Sequence, residues 1–247
     1  MKLKIAAAAG LVLGGMSAAQ AAQPAYSFRL GLTEGGYQND SFFTGNGSEQ
    51  LIGSSSSDDS WFFSYGVQTG FSMALGDFFG DVALEYYAPL VDSGSLDRTD
   101  VLATLGYLIG ANWSVFAGYR QGMQGDGLMD DETFEESGFY VGFGYGGMQM
   151  GPIIVGTSLA YNFSDAEIPD ATDEFDYDGI SLKVSISPKD APQHSVQLRY
   201  QRFAGDLAFT PIPLGIDSNE DGVEDFLDGF DLTESYLQLT YAYSFYF

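Results

Sequence analysis

The stretch Tyr236–Phe247, YLQLTYAYSFYF, alternates without a break. Leu237, Leu239, Tyr241, Tyr243, Phe245 and Phe247 fall on one side; Gln238, Thr240, Ala242 and Ser244, flanked by Tyr236 and Tyr246, fall on the other. A period of two is the signature of a β-strand, because successive side chains point to opposite faces. The second face is as informative as the first. Between its two tyrosines it is small and mostly polar but carries no charge, which is unusual for a surface facing bulk water.

The same habit recurs along the chain. Phe28, Leu30 and Leu32 alternate with Ser27, Arg29 and Gly31, and Phe63 through Met73 alternate with Ser64 through Ser72. Further segments run through Val82–Ala88, Val101–Ile109, Trp113–Tyr119, Phe139–Tyr145, Val155–Phe163, Ile180–Ile186 and Val196–Tyr200. With the terminal stretch this predicts about ten strands. Their connections alternate in length. Short turns are expected at Gly76–Asp77, Gly110–Asn112, Gly146–Gly147 and Pro188–Asp190. Long polar loops are expected at 38–60, 91–100, 121–137, 164–178 and 204–231, and 28 of the 34 acidic residues fall in these five, against Arg98 alone. Short turns at one end and long loops at the other describe an up-and-down barrel set between two unlike environments.

A soluble barrel or sandwich would also alternate, but its outer face would need many charges. Here aromatic residues crowd the ends of the apolar faces, as the interfacial girdles of a membrane barrel require. The expected fold class is therefore an all-β, antiparallel, transmembrane up-and-down barrel of about ten strands. The terminal stretch, ending on Phe247, resembles the last strand of small Gram-negative outer-membrane β-barrel proteins. The resemblance implies that this strand is read by the barrel-assembly machinery, and that the partners include outer-membrane lipid and lipopolysaccharide.

The start of the sequence fits export. MKLK is a short cationic region, IAAAAGLVLGG is an apolar core, and Ala19-Gln20-Ala21 provides a small-residue cleavage site. Residues 1–21 are read as a signal peptide and residues 22–247 as the barrel, delivered to the outer membrane of a Gram-negative bacterium as a multi-pass protein. The chain has no cysteine, which excludes disulfides and thiolate metal sites. A formal net charge of −25 repels nucleic acid and excludes that class of partner.

About ten strands make a narrow barrel, close to the size that side chains fill. In the register above, Arg29, Glu85, Arg120, Lys183 and Arg199 point inward, and so do Tyr87, Phe116, Tyr140 and Gln197. Charges in so tight a space need partners, so the lumen is expected to be a salt-bridged plug. A narrow porin-like, anion-preferring channel for small solutes is the alternative. An outer-membrane protease or lipid-modifying enzyme is the sharper rival, since such barrels place a His with an acid or Ser at the upper rim. The chain has one histidine, His194, beside the short turn at 188–193, with Ser195 on the opposite face of its strand. That geometry gives no catalytic constellation, and no enzyme is expected.

One loop carries a metal pattern. In DSNEDGVEDFLDG, Asp217, Asn219, Asp221, Val223, Asp225 and Asp228 occupy positions 1, 3, 5, 7, 9 and 12, with Gly222 at position 6 for the turn. Alternating oxygens, with the carbonyl of Val223 among them, suit one hard cation, and calcium is the expected cofactor. The spacing resembles thrombospondin type-3-like calcium loops more than an EF-hand. It implies a clasp that orders an extracellular loop, with the acidic loops serving a structural or surface-interaction role.

Overall fold

A computed structural model describes residues 25–45, 62–89, 97–125, 132–167, 175–213 and 226–247. They form ten strands: β1 (Ala25–Gly45), β2 (Phe62–Leu75), β3 (Phe78–Pro89), β4 (Asp97–Ile109), β5 (Trp113–Gly125), β6 (Glu132–Met150), β7 (Ile153–Glu167), β8 (Phe175–Pro188), β9 (His194–Pro213) and β10 (Phe226–Tyr246). Each strand pairs antiparallel with its neighbours in sequence, and β1 pairs with β10 to close the barrel. Arg29 is held on both sides, opposite Ser244 of β10 and Gly70 of β2. Closure removes every sheet edge, so the backbone is satisfied within the wall, the condition for crossing a bilayer with strands.

The exterior shows which solvent this wall meets. Leu105 is 72% exposed, Leu32 68%, Phe139 67% and Phe78 65%, and similar residues surround the barrel. A belt of that kind in water would be an aggregation surface; against hydrocarbon it is the ordinary outer face of a membrane barrel. The inward positions are the polar ones, and Glu85, Asp100, Arg120 and Gln201 are each at most 3% exposed. The fold is an all-β, ten-stranded antiparallel barrel of the outer-membrane type.

The hairpins at the turn end follow glycine chemistry. Gly76 and Gly151 open two-residue connections with φ of 63° and 64°, a conformation that costs other residues strain. Gly110 opens the three-residue connection before β5 with φ of 68°. One expected turn is displaced. The sequence places the connection between the sixth and seventh strands at Gly146–Gly147, but β6 continues to Met150 and turns at Gly151–Pro152. The register shifts between Tyr145 and Met148, with Gly147 at φ 77°. An extra residue there resets the parity, so that Met148 and Met150 again face outward, at 43% and 56% exposure.

The strands also exceed their expected lengths. Crossing takes about ten residues, yet β1 and β10 each have 21 and β9 has 20. The surplus extends past the apolar belt at the loop end. Glu135, Glu136, Asp165, Asp176, Asp178, Asp206 and Asp231, expected in loops, therefore sit on strands.

Candidate functional site

The site is the lumen, and small residues make room for it. Large inward side chains lie over inward glycines directly opposite them on the next strand. Phe79 faces Gly106, Tyr87 faces Gly66, Tyr140 faces Gly118, Phe116 faces Gly142, and Phe203 faces Gly179. At each of these glycines an added Cβ would collide with the opposing ring. The same holds for charged residues: a Cβ on Gly70 would come within 2.8 Å of Arg29, and one on Gly122 within 2.7 Å of both Arg98 and Glu136. The glycines let long side chains lie flat across the sheet and reach the centre of the barrel.

Two charged groups fill that centre. Toward the loop end, Arg98 on β4 binds Asp100 at 3.0 Å and Glu136 of β6 at 2.5 Å. Arg120 on β5 shares both acids, at 3.3 and 2.8 Å. Arg98 also donates to the Tyr236 hydroxyl on β10 at 2.8 Å and lies 4.7 Å above its ring centroid. Arg120 lies 4.7 Å from the ring of Phe203 on β9. Glu234 accepts hydrogen bonds from the hydroxyls of Tyr37, Tyr177 and Tyr236. Around these tyrosines, Ala166, Phe175, Phe203 and Leu232 pack into a buried apolar cluster. Salt bridges, aromatic rings and the cluster thus join β1 and β4 through β10 across the interior.

The second group lies nearer the turn end. Arg29 on β1 pairs with Asp81 on β3 at 3.4 Å, and Ser72 donates to the same carboxylate. Arg199 on β9 forms an ion pair with Glu85 on β3, which also accepts from Gln68 and from Tyr87. Arg199 further binds Gln238 at 2.6 Å and the Tyr87 hydroxyl at 3.1 Å. Glu85 is 1% exposed. A carboxylate so placed requires its cation and donors, because desolvation otherwise costs more than folding can supply. A cavity of about 110 Å³ lies among these residues, lined by Arg29, Asp81, Glu85, Lys183 and Arg199 with apolar Phe79 and Phe116.

All five residues expected to form the lumen network, Arg29, Glu85, Arg120, Lys183 and Arg199, are on the inner face. All five line the same cavity, but their ion pairs divide: Arg120 pairs with Asp100 and Glu136, whereas Arg29 pairs with Asp81 and Arg199 with Glu85. Arg98, Asp81, Asp100, Glu136, Glu234 and Tyr236 extend the network beyond the five residues that the sequence points to. The sequence pattern puts Arg98, Asp100 and Glu136 in the loops 91–100 and 121–137. Continuing the strand parity outward from Val101 and Phe139 places all three inside.

The other expected sites are located as follows. Asp217, Asn219, Asp221, Val223 and Asp225 lie outside the described residues. Asp228 stands on β10 at a register shift between Leu227 and Gly229, half-buried. His194 begins β9 and faces outward, its Nδ1 2.6 Å from the Tyr241 hydroxyl and its ring edge-on to Tyr243 at 5.0 Å. Its neighbours are therefore aromatic residues of the outer wall.

No protein-family model and no curated protein matches this chain. Solved barrels do resemble it in structure. The outer membrane protease OmpT from Escherichia coli aligns over 92% of this chain and 98% of its own, with 12% identity and a TM-score of 0.40. The outer membrane protein OprG from Pseudomonas aeruginosa aligns over 93% and 99%, with 10% identity and a TM-score of 0.37. Neisserial surface protein A aligns over 90% and 99%, with 8% identity and a TM-score of 0.31. Similarity at this level assigns no role to the present chain.

Proposed function

We propose that this protein is a non-enzymatic, integral outer-membrane barrel whose lumen is held closed and whose acidic outer end serves structure or surface interaction. In this reading residues 1–21 direct export, the turn end faces the periplasm, and the loop end faces outward. The observation that carries it is the Arg98–Arg120–Asp100–Glu136 group, capped by Tyr236 and the Glu234 tyrosines. It spans the bore with side chains at most 7% exposed. Ion pairs from Arg98 and Arg120 to both acids hold the group together, while Arg120 Nη1 and Glu136 Oε2 are buried without a hydrogen-bond partner among the described residues.

Above the apolar belt the outward acids come in cross-strand pairs: Glu135 opposite Glu167, Asp165 opposite Asp176, and Asp206 opposite Asp231. Like charges directly opposite repel, so this collar gains from divalent cations, which also bridge the phosphates of lipopolysaccharide. The Asp217–Asp228 loop, read as a calcium clasp, belongs to the same surface chemistry.

Reconstitution in planar bilayers tests closure. Purified barrel should give a quiet baseline, and reproducible single-channel steps in the unmodified protein would overturn the closed reading. The second reading is a narrow small-solute channel, and the cavity beside Lys183 favours it. It requires those steps, together with anion-over-cation selectivity.

A further inference from the structure

The two charged groups are not balanced separately. The upper group holds two cations, Arg98 and Arg120, and three acids: Asp100 and Glu136 in ion pairs with both arginines, and Glu234 linked through the Tyr236 hydroxyl. In the lower group three cations, Arg29, Lys183 and Arg199, meet two acids, Asp81 and Glu85. Lys183 is the unmatched member. Among the described residues no carboxylate lies within ion-pair distance of it, whereas Arg29 is paired with Asp81 and Arg199 with Glu85.

Its position makes the imbalance acute. In the β8–β9 register Lys183 stands directly opposite Arg199, with both side chains inward. Two cations opposed on one face of an antiparallel pair repel at close range. The 110 Å³ cavity in front of them is lined by both, and by Arg29 and Arg120 from other strands. That is room for a small ion with a few waters.

We propose that this cavity binds a small inorganic anion of the halide class, held between Lys183, Arg199 and Arg29. The anion supplies the missing negative charge and screens Lys183 from Arg199. Asp81 and Glu85, engaged with Arg29 and Arg199, repel larger or multiply charged anions. Phe79 and Phe116 form an apolar side of the cavity and favour a weakly hydrated ion. On the turn side of Lys183 the inward positions are Ser185 and Ser187 on β8 and Ser195 and Gln197 on β9, none of them charged. The site concerns occupancy of the lumen below the upper group, and it stands whether or not that group conducts.

Bromide is the probe. The full barrel, refolded in detergent, is crystallised in sodium bromide, and anomalous scattering is measured above the bromine edge. A lumen peak in contact with Lys183 Nζ, absent in Lys183→Met, is expected. In parallel, heat-modifiable migration follows unfolding of both proteins at constant ionic strength in chloride, bromide or gluconate. The unmodified barrel should unfold at a higher temperature in halide than in gluconate, saturably with concentration, and the difference should vanish in Lys183→Met. No lumen peak, with unfolding indifferent to the anion, means that water alone solvates Lys183 and the proposal fails. A peak that persists in Lys183→Met also overturns it. If that variant does not fold, the bromide map and anion series on the unmodified protein decide.

Discussion

Arg199 and Glu85 are ion-paired through the middle of the barrel although their strands, β9 and β3, stand four places apart around the wall. No hairpin brings them together. The contact exists only when the cylinder is closed through the β1–β10 seam, so it reports closure. Removing one partner leaves the other buried without a counter-charge. Arg199→Met and Glu85→Gln should each destabilise the barrel by about 3 kcal/mol or more, with the double variant recovering part of the loss. Urea unfolding in lipid, followed by tryptophan fluorescence, measures this. Additive single effects would show that the two act independently.

The glycines that face Phe79, Tyr87, Phe116, Tyr140 and Phe203 make a second, geometric prediction. Gly106 lies under Phe79, and a Cβ there would overlap the ring. Gly106→Ala should cost about 1–3 kcal/mol by overpacking. Phe79→Ala alone should also destabilise, through the cavity it leaves. Combined, the two should cost less than the sum of the separate changes, because the methyl enters the space the ring vacates. The same unfolding assay reads the cycle; a coupling near zero would mean that the ring is free to move aside.

Most of the architecture was legible because one face of each strand meets lipid and the other a packed lumen. Alternation then survives in nearly every segment, from Phe28 to Phe245. It failed in places where one residue changes the count. The bulge at Gly146–Gly147 looked like a turn because two glycines between apolar segments have that signature, and the parity reset at Met148 appears only with the pairing. The site was half legible for a related reason. Arg29, Glu85 and Arg199 sit amid clear alternation, where their faces can be counted. Arg98, Asp100 and Glu136 sit where polar residues occupy both faces, so hydropathy marks no strand and acids read as loop. Which inward charges pair depends on barrel closure, and no local pattern encodes that.

The upper group should be the part that holds the bore shut. Arg98 contacts β6 and β10 from β4, and its guanidinium both pairs with acids and covers Tyr236. Arg98→Ala removes those contacts and leaves Asp100 and Glu136 sharing Arg120 alone. Bilayer recordings should then show brief openings absent from the unmodified barrel, with preference for cations because the freed charge is acidic. Arg98→Lys should restore closure only in part, since an ammonium cannot reproduce the planar fork. A silent Arg98→Ala barrel that folds normally would place the constriction elsewhere.

The loop of Asp217 to Asp228 calls for a direct metal test. Titration of the refolded barrel with calcium should show a binding event with Kd of about 10⁻⁴–10⁻³ M, the range of extracellular modules. Asp221→Ala should abolish it while leaving the barrel folded. Calorimetry with no calcium-dependent heat, or an unchanged isotherm in Asp221→Ala, would remove calcium from the description of this loop.

Acid pairs on the outer collar predict how stability depends on pH. Asp231 faces outward above the apolar belt, three outward positions beyond Leu237, and lies opposite Asp206 across the β9–β10 pair. Burial first, then the Asp206 charge and a hydrogen bond to it, holds the Asp231 carboxyl above its ordinary range. A carboxyl with a raised folded-state pKa binds its proton more tightly in the barrel than in the unfolded chain. Its favourable contribution is complete below the unfolded-state value of 3.8 and is lost as pH rises through the folded-state value. The barrel should therefore gain stability from this pair on mild acidification, opposite to the behaviour of a salt-bridged carboxylate. Asp231→Asn removes the repulsion at neutral pH, so it should raise the unfolding temperature at pH 7 and flatten the profile between pH 7 and pH 4. Heat-modifiable migration across that range, compared between the two proteins, measures the difference. Parallel profiles would show that the collar keeps these two carboxylates apart or already shares a cation between them, and adding a chelator separates those two cases.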